Sequence, residues 1–382
     1  MPAYGPHDTS RTTQIDRHGL TAGPTELSMT SRERLDTALR RREPDRLPRC
    51  EQSYWPETLE RWRQEGMPAD ASPRELFDLD AFLNFGLDHS LRLPEEVIEE
   101  TAEWYLKRDA DGVVSKHWTT NYGPPCEVDF LIKTRADWER VRERLQPEPD
   151  RIHESIPQAI AQAQAAGEFC TVSPGEPVWW TLRTLGLENA MLTLAMDPDF
   201  FADMLQAQAA LALDLMRQLL ATGARPDGIL FSSDLCYRNG MLFSPATYRA
   251  LMIDLHREYA RLCHEHDMLL ILHCDGDVRE FIPLLIEAGF DCIEPLEARA
   301  GNDVRELKPL YGDRISFFGN ISMDVLATGD RGLIREEVVS KIAAAKPGGG
   351  YIHQSDHSVP PTVSYESYCY WMELAREHGD YE

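Results

Sequence analysis

The chain has 382 residues, with 39 Lys plus Arg against 64 Asp plus Glu and a formal net charge of −25. That balance excludes the basic stripe of a nucleic-acid binder and the basic amphipathic face of a membrane-surface protein. With 42% hydrophobic and 27% charged residues the composition is globular, and no window reaches the roughly 18–20 uninterrupted apolar residues that a membrane span needs.

Residues 1–28 are rich in Thr, Gly and Pro without apolar periodicity and are expected to form a flexible tail; residues 29–382 read as one domain. The tail lacks the apolar core of a signal peptide, so the expected location is cytoplasmic. Cys50, Cys126, Cys170, Cys236, Cys263, Cys274, Cys292 and Cys369 include no CxxC pair and read as reduced thiols.

Order is expected from Thr30-Ser31, a helix-capping pair. Leu35 and Leu39 then repeat at i, i+4 until Pro44 closes the helix. Short apolar runs follow at Leu47–Glu51 and Asp80–Leu87. Between that second run and the next, Asp111-Gly112 lies between strand-like residues and predicts a small β-hairpin excursion. From residue 160 onward the runs EFCTVSPGEP, DGILFSSD, MLLILHCDGD, DCIEPLE, ISFFGNIS and GGYIHQSDH alternate with amphipathic stretches such as VREFIPLLIEAG. Strand and helix alternating at this spacing argue for parallel βα units. Eight such strands predict an α/β fold, a (β/α)8 TIM barrel.

Barrel active sites lie at the C-terminal ends of the strands, which selects the residues to inspect. They are Gln52 and Tyr54, Asp88 and His89, Glu176 and Trp179, Asp234, His273 with Cys274 and Asp275, Glu294 and Glu297, Asn320, and finally Asp356 and His357. Nearly every run ends in a functional group. In LILHCDGDV the alternation of a strand puts His273 and Asp275 on one face and Cys274 on the other, so the pair can chelate or share a proton. His357 would add a third ligand and Asp234 or Glu294 a fourth, a set suited to Zn²⁺ or another divalent first-row ion. The competing reading makes His273 a hydrogen-bonded barrel residue and Asp275 and Asp277 helix caps, with no metal. Asp234 ends an apolar run, where desolvation suits a carboxyl to acid–base work, or it caps the next turn. Trp179-Trp180 would form a flat wall for a ligand or divide between core and helix packing, and Glu176 is a loop carboxylate.

PDGILFSSDLCYRNGMLFSPATYRALMIDLHREYARLCHEHDMLLILHCDGDVREFIPLLIEAGFDCIEP, with KPLYGDRISFFGNIS and GGGYIHQSDHSVPPTVSYESY, closely resembles the uroporphyrinogen decarboxylase superfamily over roughly residues 29–378. The resemblance implies a single TIM barrel, often dimeric, shared by the heme-pathway decarboxylase and by zinc-dependent methyltransferases acting on methylcorrinoid proteins and thiols. The decarboxylase branch carries an arginine-rich string after the first strand. Here the stretch is PRCEQSYWPET, with Glu51 and Gln52 where cations would hold the substrate's carboxylates. The methyltransferase branch holds zinc with a His-x-Cys pair and a distant Cys. His273 matches the first ligand, Asp275 stands at the first cysteine, and His357 falls at or beside the second.

The reading that results is a metal-dependent enzyme acting on a small organic substrate by methyl transfer, demethylation or a metal-assisted lyase reaction. Its metal ligands are His273, Asp275 and His357, its catalytic groups Asp234, Glu294 and His357, and its substrate contacts Gln52, Tyr54, Asp88, Glu176, Trp179 and Asn320. The expected cofactor is Zn²⁺, the expected partners a corrinoid protein and a second copy of the chain. Authentic uroporphyrinogen decarboxylation is the alternative, and a non-catalytic ligand-binding barrel the second.

Overall fold

The computed structural model describes residues 28–119 and 124–381. Apart from Ser28, the expected N-terminal tail therefore lies outside the described residues.

Thr30 opens the first helix, Ser31–Leu39, through a capping box. Its hydroxyl accepts from the Glu33 N–H while the Glu33 carboxylate takes the Thr30 N–H. The helix stops at Leu39, before Pro44, and Arg41 turns the chain with a left-handed φ of 59°. Leu35, Ala38 and Leu39 are fully buried against inward residues of the sheet, among them Phe169, Leu269, Ile271, Cys292, Phe318 and Ile352. Burial of the two leucines alone contributes about 3–6 kcal/mol.

The strands follow in chain order. β1 (Phe82–Gly86) precedes β2 (Glu96–Glu100), β3 (Trp104–Arg108), β4 (Val113–Trp118) and β5 (Cys126–Phe130). β6 (Phe169–Ser173) and β7 (Gly228–Ser232) lead to a short ribbon, β8 (Cys236–Tyr237) with β9 (Gly240–Met241). β10 (Leu269–His273), β11 (Cys292–Glu294), β12 (Ser316–Phe318) and β13 (Tyr351–Ile352) complete the set. Seven of them form one curled parallel sheet in the order β1-β6-β7-β10-β11-β12-β13. Helices between successive strands cover its outer face, so both faces are buried. That is why β10 reads as the uninterrupted apolar run Leu269–Leu272 rather than as an alternation.

Two expectations need correction. The run Leu47–Glu51 forms only isolated bridges: the Cys50 N–H donates to the His353 carbonyl at 3.0 Å, the His353 N–H to Pro48 at 2.9 Å, and the Asp80 N–H to Arg49 at 2.6 Å. Three prolines and charged residues crowd this stretch and its flanks, and Pro48 has no N–H to extend a ladder. The expected hairpin is a four-stranded antiparallel sheet in the order β2-β3-β4-β5, with Asp109–Gly112 as the turn of its central pair. No helix among the described residues is long and apolar enough to cross a membrane.

Candidate active site

Parallel register sets the geometry of the site. His273 ends β10, opposite Ser232 at the end of β7 and Glu294 at the end of β11, so the three strands finish level. Asp234 follows β7 by two residues and accepts the Asp275 N–H on Oδ1 at 3.1 Å, which draws the two loops together. His273 Nε2 then faces two carboxylates, 3.9 Å from Asp234 Oδ1 and 4.0 Å from Asp275 Oδ2. Ligating atoms of Asp234, His273 and Asp275 all lie within 4.8 Å of one another.

Behind the imidazole, Glu294 Oε2 lies 2.5 Å from His273 Nδ1, and Gln354 Nε2 donates to Glu294 Oε1 at 2.8 Å. A carboxylate on Nδ1 fixes the ring orientation and aims Nε2 at the other two acids. Burial disfavours the charged imidazolium, but Glu294's charge and hydrogen bond, reinforced by Asp275 and Asp234, hold the His273 pKa at about 10. Asp275 is pushed up to about 6, chiefly by burial, with His273 opposing and Asp234 adding to the rise. Gly276, at φ 90°, is needed here. A Cβ at this position would lie 2.7 Å from the Tyr237 nitrogen and 2.8 Å from the Cys236 carbonyl carbon.

Two observations bear on whether this cluster suits a cation. Asp275 Oδ1 is buried and has no hydrogen-bond partner among the described residues. One imidazole also faces three acids, Asp234, Asp275 and Glu294, leaving the pocket short of positive charge. The donors are one nitrogen and carboxylate oxygens, a hard set that fits a divalent ion. Cys274 buries its thiol beside Cys236 and contributes nothing to it.

The model of the family described as uroporphyrinogen decarboxylase (URO-D) matches residues 182–378, slightly more than half of the chain and the part that carries this cluster. The chain belongs to the URO-D family. Among solved structures, a methyltransferase from Methanosarcina mazei resembles it with a TM-score of 0.60 over 92% of this chain and 99% of that one. At 16% identity this is a likeness of fold. No curated protein matches the chain.

In this URO-D member His357 stands beside the cluster rather than within it. Its Nε2 is 3.7 Å from Asp275 Oδ2, and its side chain is 38% exposed. It borders a cleft of about 260 Å³ with Trp55, Arg299, Met323 and Ser358. Asp356 is buried beneath and accepts the Ala298 and Met323 N–H groups. Asp234, proposed from the sequence chiefly as an acid–base group, belongs with His273 and Asp275 in the cluster.

Several expected substrate contacts are engaged elsewhere. Glu176 is buried: it caps the helix Pro177–Leu185 through the Val178 and Trp179 N–H groups and takes His256 Nε2 at 2.9 Å. Trp179 lies on that helix rather than on a strand. Asp88 is tied to Ser90 and to Arg92 at 2.5 Å. Asn320 is fully buried; its amide donates to Leu296 and Asn302 carbonyls and its oxygen accepts the Val304 N–H, so it joins loops. Gln52 is exposed, and Tyr54 directs its hydroxyl to Tyr368 at 2.9 Å.

Glu51 was missed as a site residue. It is enclosed by protein but keeps some access to solvent. Its Oε1 takes the Gln52 N–H at 3.0 Å and the Ser355 hydroxyl, and its Oε2 the Tyr368 hydroxyl at 3.0 Å. Burial pushes its pKa up to about 8 against the lowering effect of those hydrogen bonds, and the Asp356 charge adds to the rise. Arg49, the nearest arginine in sequence, pairs with Asp78 instead. The signal available was the string CEQS itself, a carboxylate with no cation adjacent in sequence. Gln354 was also missed, because nothing in the sequence pairs it with Glu294.

Proposed function

We propose that this URO-D family member transfers a methyl group from or to a small organic substrate at a divalent metal site, zinc or a similar first-row ion, formed by Asp234, His273 and Asp275. The observation that carries the reading is the convergence of these three side chains with Glu294 fixing the imidazole from behind. Bound there, such an ion supplies Lewis-acid polarisation of a substrate oxygen or sulfur. The chain's own groups do the rest. Glu294 and Gln354 hold His273 in one orientation. His357, at the edge of the cleft, is the side chain to which we assign the proton that the departing oxygen or sulfur needs as its bond to the methyl carbon breaks. The methyl partner on this reading is a corrinoid carried by a separate protein. We further read Leu47–Cys50, bridged to His353 and to Asp80, as the eighth stave of a (β/α)8 barrel.

A metal-assisted lyase reaction is the second reading, supported by a donor set without a thiolate, which is less suited to a thiol substrate. Metal analysis of the purified protein tests the site: stoichiometric zinc that is lost in His273→Ala supports it, and metal-free protein with full activity refutes it. Turnover of methoxylated or methylthio substrates with free cob(I)alamin, with methylcobalamin as the measured product, separates methyl transfer from lyase chemistry. Uroporphyrinogen is expected to yield no coproporphyrinogen, and its conversion would overturn the assignment.

A further inference from the structure

At the N-terminal ends of the parallel strands, opposite the His273 cluster, a cleft of about 680 Å³ is lined by Arg40, Arg41, Lys308 and Arg314, with Asp313 its one acid. It adjoins a second hollow of about 470 Å³ that shares Arg40 and Arg41 but is also lined by Asp36, Asp267 and Asp291, so an anion is assigned to the first cleft alone. In a chain with a large excess of acids, most cations here are paired: Arg40 with Asp36 and Asp267, Arg42 with Asp36, Arg314 with Asp313. Arg41 and Lys308 form no ion pair among the described residues. Lys308 Nζ donates only to the Gly349 carbonyl, and Arg41 Nη1 is buried without a partner.

The two are held together by construction. Arg41 has a left-handed backbone, φ 59°, an unfavourable conformation for a side chain of its kind. At Gly350, whose φ of 69° favours glycine, a Cβ would lie 3.0 Å from Lys308 Nζ and 3.1 Å from Arg41 Cγ, so the two side chains meet over this residue. Burial lowers the Lys308 pKa, and the neighbouring Arg41 charge lowers it further. Two like charges held side by side without a counter-ion destabilise each other unless an anion stands between or beside them.

We propose that this cleft is a binding site for a phosphate dianion, free or as the ester of a small metabolite, held by Arg41 and Lys308. Two positive charges match one phosphate dianion, the guanidinium offers a forked donor pair and the ammonium a point charge. The cleft exceeds the volume of a lone phosphate and leaves room for an organic group.

The test is calorimetric and thermal titration of the full-length protein in chloride buffer with inorganic phosphate and, separately, glycerol 3-phosphate, against sodium chloride at matched ionic strength. We expect saturable binding that is weakened at least tenfold in Arg41→Gln and in Lys308→Met. In chloride alone, Arg41→Gln should unfold at the same temperature as the parent or higher, since it removes repulsion and breaks no hydrogen bond. Tighter binding of the ester assigns the site to a metabolite, and equal binding assigns it to free phosphate. No saturable binding, unchanged affinity in both variants, or a clear loss of stability of Arg41→Gln in chloride overturns the proposal.

Discussion

Replacing Glu51 by Gln should abolish a specific part of the pH dependence of stability. The Glu51 carboxyl is surrounded by the hydroxyls of Ser355 and Tyr368, with Tyr54 beyond and the Asp356 charge nearby, and has no cation partner. Its pKa is about 8 in the folded chain against 4.5 as the ordinary value. A raised folded pKa means that stability is fully present below about pH 4.5 and is lost as pH climbs through about 8. Between pH 5.5 and 7.5 the folded protein keeps a proton that the unfolded chain has released, so stability falls by about 1.4 kcal/mol per pH unit, or about 2.7 kcal/mol over the interval. With an unfolding entropy near 2 cal/mol/K per residue, a chain of 382 residues converts this to a fall in Tm of about 3 °C. Gln keeps the shape and the neutral state, and its amide can donate to either hydroxyl, so Glu51→Gln should lack this decline and unfold above the parent at pH 7.5. Differential scanning calorimetry of both proteins at pH 5.5, 6.5 and 7.5 measures it. Parallel declines in parent and variant would refute a neutral Glu51.

Three further perturbations are expected to act through named contacts. Glu294→Gln removes the carboxylate that orients His273 and should weaken metal affinity by about 10–100-fold, read by competition with a chromogenic chelator; an unchanged affinity argues against the site. Arg34→Met strips one of two cations from the fully buried Asp80 and frees Asp45, costing about 3–5 kcal/mol in urea unfolding. Burial would raise the Asp45 pKa, but Arg34 holds it down at about 2, so its stabilisation is present above about pH 4 and lost on acidification towards pH 2. Since Asp45 is about a third exposed, the step should be only about 1 kcal/mol, and Arg34→Met should lack it. In Gly175→Ala the new Cβ would lie 1.7 Å from His89 Cδ2 at a φ of +92°. It should destabilise by about 2 kcal/mol or more and disturb the Glu176 cap, measured by urea midpoint.

How much of this was legible depended on whether the signal was local. β10 and β7 are apolar runs long enough to announce themselves, and their ends located His273 and the Asp234 loop. β13 is only two residues long, yet GGYIHQSDH was readable because of its glycines and its polar ending. Leu47–Glu51 looked equally strand-like, but strand pairing depends on partners distant in sequence, and there the backbone makes one isolated bridge to His353 and single bonds with Gly379 and Asp80 rather than a ladder. Asp111-Gly112 signalled a turn. Of the strands that extend it, Glu96–Glu100 is rich in acids and carries no apolar alternation, while Cys126–Phe130 alternates over only five residues and is exposed along most of its length, so their pairing stayed invisible. Asn320 and Asp356 end strands as Asp234 does, yet they bind backbone groups. A sequence cannot distinguish a polar side chain that joins loops from one that faces a ligand.

The cluster itself depends on one contact that no spacing encodes. His273, Asp275 and Asp234 are drawn together by the Asp275 N–H on Asp234, but which nitrogen of His273 faces them is decided by Glu294, twenty-one residues further on and level with His273 only because β10 and β11 are parallel neighbours in register. A hydrogen-bonded barrel histidine, the competing reading of the sequence, would also have a partner on one nitrogen. What distinguishes this one is the other nitrogen, which faces two carboxylates at 3.9 and 4.0 Å, beyond hydrogen-bonding distance, beside an Asp275 oxygen that has no donor. Groups that merely stabilised the fold would close those gaps, because a buried acid gains from each hydrogen bond it makes. Carboxylates held apart around an Nε2 that makes no hydrogen bond are the arrangement that a cation, displacing the proton from that nitrogen, would complete. For that reason the metal content of His273→Ala and Glu294→Gln discriminates more sharply than any activity screen: the first removes a ligand, the second only its orientation, and a purely structural cluster would show neither effect.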